Sequence, residues 1–232
     1  MHKGFSWLAS GAALVAATLA PAAQATLIDF NAPALQGLYF PGDSFSQSGF
    51  LMTQGFDAGI VDIGLGLGAA APTNNATQFY TNVNDGDLTL TSLSGLPFSL
   101  SGFDAAFVPL LGSHAAPQVI GIVAIATTMT GGQFGTFFSL GDTSSTTTGS
   151  PFLTFSGAAN FGRFTNLFSV DFFTCANTGG QLCTTPTQNN GQFALDNINA
   201  TVAAPIPEPE TTALMALGLM VLAAVSRRRR SR

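Results

Sequence analysis

Between its two ends, this chain places its apolar residues at every second position, in runs of four to eleven residues cut by glycine-, asparagine- and proline-rich turns. That period constrains the fold more than any other feature, because successive side chains on a strand point to opposite faces. The runs predict strands over 26–31, 49–53, 78–83, 87–93, 98–108, 119–129, 134–140, 152–155, 166–175 and 192–202. Turns are expected at Pro41-Gly42-Asp43, Asn84-Asp85-Gly86-Asp87, Gly131-Gly132 and Asn189-Asn190-Gly191. The run 119–129 is apolar at most positions and should lie centrally, while the Thr/Ser-rich stretch 141–150 should be an exposed loop. No segment between the ends shows a capped 3.6-residue period. The expected class is all-β, an antiparallel β-sandwich.

The two ends follow different rules. Lys3, an apolar stretch from Leu8 to Ala20 and the small residues around Ala23-Gln24-Ala25 have the form of a signal peptide, with cleavage expected after Ala25. At the other end, Pro207, Glu208, Pro209 and Glu210 precede an uncharged stretch from Thr211 to Val225, which runs into Arg227, Arg228, Arg229 and Arg230. Fifteen helical residues span roughly 22 Å, short of a ~30 Å hydrocarbon core. The arginines resist translocation and would stay cytoplasmic, which places Glu208 and everything before it outside the membrane. The expected organisation is a signal peptide over 1–25, a sandwich domain over 26–203, and a linker with a tail over 204–232. Within the tail a single transmembrane helix is expected over about 211–226, followed by an arginine cluster over 227–232.

Pro207-Glu208-Pro209, the apolar stretch and the arginine cluster together resemble the PEP-CTERM sorting signal of Gram-negative bacteria. The resemblance implies handling by signal peptidase and then by an exosortase, a membrane transpeptidase acting near the Pro-Glu-Pro motif. It also implies delivery to the cell surface, outer envelope or an extracellular polysaccharide matrix. Gln192-Phe193-Ala194-Leu195-Asp196 is similar to the Gln-Phe-x-x-Asp motif of one subfamily. Asn75–Tyr80, Ser101–Phe107 and Ser169–Phe173 look similar to its other recurring segments.

Composition narrows the function classes. Between residues 26 and 205 there is one basic residue, Arg163, against ten aspartates, a formal charge of −9; lysine and glutamate are both absent there. Nucleic-acid binding is excluded, since no basic patch can form against phosphates. Cys175 and Cys183 are eight residues apart, with Asn177, Gly179 and Gly180 favouring a turn between them. In an oxidising compartment a disulfide is expected.

Three kinds of chemistry merit weighing. Catalysis is not expected. His114 is the sole histidine of this region, and nothing selects a pair of aspartates for glycoside hydrolysis. The first and last predicted strands look like the opening and closing strands of carbohydrate-binding jelly rolls, which are neighbours in that fold and often hold a structural calcium. That likeness singles out Asp29 and Asp196, with Asn31 and Asn197 as weaker additions. For sugar stacking the aromatic candidates are Tyr39, Phe40 and Tyr80, most phenylalanines belonging to the core. The expectation is an exported, non-catalytic surface or matrix protein; the alternatives are a carbohydrate-binding module and a hydrolase of extracellular polymers.

Overall fold

The computed structural model describes residues 25–64, 71–83, 85–109, 119–142, 150–178, 181–184, 192–204 and 209–230. The β domain is one compact unit, Gln24–Ala203, and the C-terminal helix belongs to a separate one. Among the described residues fourteen strands run in chain order. They are β1 Ala25–Ile28, β2 Gly37–Tyr39, β3 Ser44–Gln47, β4 Phe50–Gln54, β5 Ala58–Asp62, β6 Phe79–Val83 and β7 Asp87–Ser92. The second half holds β8 Phe98–Val108, β9 Val119–Thr128, β10 Gln133–Asp142, β11 Leu153–Ser156, β12 Leu167–Thr178, β13 Gln181–Thr184 and β14 Gln192–Val202. Among the described residues a 3-10 turn covers Pro33–Leu35, a short helix α1 covers Ala158–Phe161, and α2 covers Pro209–Arg230.

The strands form two antiparallel layers. The first has the order β2-β5-β6-β14-β8-β11, with β1 pairing β14 beyond the end of β6. The second has the order β3-β4-β7-β12-β9-β10, with β13 on the far end of β12. Strand pairing joins the layers at one place, between Leu167 of β12 and Phe98 of β8. This is the all-β sandwich expected from the period-two runs. Strands β2, β3, β5 and β13 are additional to those runs. Each is three to five residues long; β2, β3 and β13 have little apolar alternation of their own, and β5 (AGIVD) has only Ile60 and Val61 between Gly59 and Asp62.

Both inner faces are aromatic. Phe103 of β8 is buried, and its ring centroid lies 5.4 Å from that of Phe172 of β12 and 4.9 Å from that of Phe138 of β10 across the layers, and 5.7 Å from that of Phe161 of α1. These edge-on contacts suit the ring quadrupoles. Phe50 of β4 meets Phe98 of β8 at 5.4 Å, also edge-on. One end of the core is polar. Tyr80 of β6 donates its hydroxyl to Gln54 Oε1 of β4 at 2.6 Å, and Gln54 Nε2 donates to the Phe56 carbonyl at 2.9 Å. Both side chains are fully buried. Gly59 makes this bond possible: a Cβ there would lie 2.3 Å from Gln54 Oε1 and 2.5 Å from the Tyr80 ring. Burial, reinforced by the charge of Asp87, pushes the Tyr80 phenol far above its ordinary range, so it remains a donor at every working pH.

Tyr80→Phe keeps the ring and strands Gln54 Oε1 without its donor. The expected cost is about 1–3 kcal/mol, read as a lower urea midpoint at unchanged slope; an unchanged midpoint would show that the inter-layer bond contributes nothing.

Candidate functional site

Strand β14 brings the sequence-predicted aspartates together. Its C-terminal half pairs with β1, Ile28 opposite Ile198 and Leu27 opposite Asn199, so Asp29 emerges from β1 beside the middle of β14. On the other side of β14, Asp196 stands directly opposite Asp104 of β8. The ladder then slips between Asp196 and Asn199, and Asn197 at the slip has a left-handed φ of 50°. Phe30, next to Asp29, has a φ of 53°. Two non-glycine residues in this region mark local strain beside the carboxylates.

Amide groups surround these acids. Asn75 Nδ2 donates to Asp196 Oδ2 at 2.7 Å, and the Asn197 amide donates to Asp196 Oδ1 at 2.8 Å. Asn197 Nδ2 donates to Asp104 Oδ2 at 2.8 Å, and Gln47 Nε2 to Asp29 Oδ1 at 2.6 Å. Asn31 Oδ1 accepts from the Gln78 amide at 3.2 Å, which ties the segment after β1 to the approach to β6. Asp196 is buried, and that burial, with the nearby charges of Asp104 and Asp29, pushes its carboxyl up to about 6 against its hydrogen bonds. Asp29 is shifted the other way. Desolvation acts upward on it, but the hydrogen bonds from Asn31 and Gln47 outweigh that and hold it below the usual carboxylate range.

Among the described residues no group of three or more His, Cys, Asp or Glu is placed to hold a metal ion. The Asp29 and Asp196 oxygens accept amide N–H groups, so a calcium ion here would need those amides to turn their oxygens inward. Asp104, Asn75 and Gln47 were not singled out from the sequence, because they come from β8, the approach to β6 and β3, which only the tertiary structure brings beside β14. The candidate aromatics fare unequally. Tyr80 is wholly buried, and Tyr39 packs on Phe45 at 4.4 Å while its hydroxyl binds the Leu35 carbonyl at 2.6 Å. Neither tyrosine offers a ring to a sugar; Phe40 is 58% exposed. His114, Pro207 and Glu208 lie outside the described residues, as do residues 1–24.

In the tail, α2 begins at Pro209 and runs 22 residues to Arg230. Met215, Leu217, Leu219, Met220, Val221 and Leu222 are all exposed on it, and Arg227 and Arg228 are exposed near its end. A helix presenting apolar side chains on every face is not built to pack one face on a core. No helix among the described residues is long and apolar enough to cross a membrane. The span expected at about 211–226 is therefore helical but, with 16 uncharged residues between Glu210 and Arg227, short for a bilayer.

Residues 205–230 match the PEP-CTERM protein-sorting motif, so the chain carries a sorting signal of that type. No curated protein matches the sequence. Among solved structures, a family 29 carbohydrate-binding module is similar at 12% identity, covering 78% of this chain and 90% of that one, with a TM-score of 0.32. A family 11 carbohydrate-binding module from Clostridium thermocellum is similar at 14% identity, covering 79% and 98%, with a TM-score of 0.29. The N-terminal modules of endo-1,4-β-D-xylanase 10B from Clostridium thermocellum are similar at 9% identity, covering 81% of this chain and 29% of that one, with a TM-score of 0.33. At this level of superposition the likeness carries no functional weight.

The Asp196 shift has a sign that can be measured. Its folded value, about 6, lies above the ~3.9 of an unfolded aspartate, so the protonated form favours folding. The stabilisation is complete below about pH 4 and is lost as pH rises through 6. Asp196→Asn should raise the melting temperature at pH 7, by of order 1 kcal/mol in stability, and flatten the decline between pH 5 and 7. A variant with the same slope as the parent would remove Asp196 as its source.

Proposed function

We propose that this is an exported protein that an exosortase processes through its C-terminal signal and leaves at the cell surface or in an extracellular matrix. Signal peptidase acts after Ala25, and α2 holds the chain in the membrane only until processing. The observation that carries this reading is the sorting motif over 205–230, joined to a helix with apolar side chains on all sides and arginines at its end. The short uncharged stretch suits a transient hold better than a permanent anchor. The β domain then serves a structural or binding role without catalysis. A carbohydrate-binding module is the nearest alternative, and a polymer hydrolase the more distant one.

Two features support life in an oxidising compartment. Cys175 is fully buried on β12, and Ala176 lies opposite Thr184, which puts Cys183 of β13 on the adjoining strand. No free cysteine occurs among the described residues. A Cys175–Cys183 bridge would pin β13 to β12 and close the turn between them.

Replacing Arg227, Arg228, Arg229 and Arg230 by alanine, or deleting Pro207, Glu208 and Pro209, should leave an unprocessed or misplaced chain on immunoblots of cell fractions. Normal processing of both variants sinks the sorting reading.

A structural calcium at Asp29 and Asp196 belongs to the same proposal. Its support is the electrostatic reach of Asp29 and Asp104 to the buried Asp196 carboxyl, since a cation would relieve their mutual repulsion at neutral pH. Calcium should raise the melting temperature at pH 7 and EDTA reverse it, with Asp196→Asn insensitive to both. Identical melts with calcium and EDTA reject the ion.

A further inference from the structure

The outer faces of the two layers differ. On the first layer, Phe79, Ala106, Val108 and Ala194 point away from the inner core and are still at most 1% exposed, gathered with the half-buried Phe152 in a second apolar cluster. That face is covered. On the second layer Ser169, Val123 and Cys175 are buried, but other outward residues remain partly accessible, and the register sets them in rows across the strands. In one row Thr53 of β4 faces Thr89 of β7, which faces Asp171 of β12; Thr89 donates to Asp171 Oδ1 at 2.6 Å. In the next row Asp87 of β7 faces Phe173 of β12, and Val123 of β9 links that ring to Phe137 of β10. All of these but Val123, which is 8% exposed, are partly exposed.

The aromatic and acidic members are held in place before any ligand arrives. A Cβ on Gly121 of β9 would fall 2.5 Å from the Phe137 ring, so that ring reaches over the bare backbone of a neighbouring strand. Asp87 accepts the Phe56 amide at 2.5 Å, and Gly55 leaves room for its carboxylate. Burial, together with the charge of Asp171, raises the Asp87 carboxyl.

We infer that this open face of the second layer binds an uncharged polysaccharide laid across the strands. The inference deepens the proposed surface role and rests on it. Rings two strands apart, roughly 10 Å given the ~4.8 Å strand spacing, present apolar faces to sugar rings, while the neighbouring row of hydroxyls and carboxylates meets sugar hydroxyls. Charge chooses the class of polymer. A domain with ten aspartates and one arginine repels a polyanion, and Asp87 and Asp171 lie on the face itself.

Native affinity electrophoresis tests this with the full-length chain in mild detergent. The gels contain hydroxyethylcellulose, mixed-linkage β-glucan, xylan or galactomannan, with alginate as the polyanion. At least one neutral polymer should retard the protein and alginate should not. Phe173→Ala and the isosteric Asp171→Asn should each weaken retardation roughly tenfold, with unchanged circular dichroism, whereas Leu38→Ala on the edge of the first layer should leave it intact. Retardation by none of the neutral polymers, by alginate alone, or equally by parent and both face variants overturns the inference. Cell fractionation of the same proteins separates the two readings: a variant that reaches the surface without binding leaves the sorting proposal standing, and a parent that binds but is never sorted leaves the face standing.

Discussion

The packing of phenylalanine rings between the two layers holds the β domain together. Phe103 is its centre, in contact with rings from β10, β11, β12 and α1. Two layers joined by a single strand bridge have almost no shared backbone hydrogen bonding. Their mutual position is therefore set by side chains, and fully burying rings of this size supplies most of the driving force. The Tyr80–Gln54 bond adds what rings cannot, a directional contact at the polar end of the core that specifies one alignment of the layers.

From that alignment follows the placement of every charged group of interest. Asp104, Asp196 and Asp29 converge because β14 is flanked by β8 and β1. Asp87 and Asp171 share the opposite side of the molecule because β7 and β12 are paired in the other layer. In a domain with a single basic residue, neither group has a cation to offset it among its hydrogen-bonding partners; amides and hydroxyls do that work instead. Burial raises the Asp196 and Asp87 carboxyls, so the stability of the domain responds to pH.

Much of this was legible in the residues. The period-two runs mark ten of the strands, and the long apolar run 119–129 forms β9, an interior strand next to the edge, paired on both sides and buried along most of its length. The tail was readable because its signal is local: a tripeptide, an apolar stretch and four arginines need no tertiary context to be recognised. The short strands were not legible, since GLY or SFSQ has no alternation to distinguish it from a turn. Tyr80 also misled. A tyrosine in a run reads equally well as a ring for sugar or as a core residue with a satisfied hydroxyl, and the partner that decides it, Gln54, lies 26 residues away.

The sequence by itself determined the β class, the acidic character of the domain and the sorting signal, because each depends on composition, period or contiguous residues. Only the tertiary structure decided which aspartates meet, which tyrosines are sealed in the core and which outer face is left open. Those outcomes depend on strand order and register, and a register is set by the packing of both layers at once, beyond what any single segment encodes.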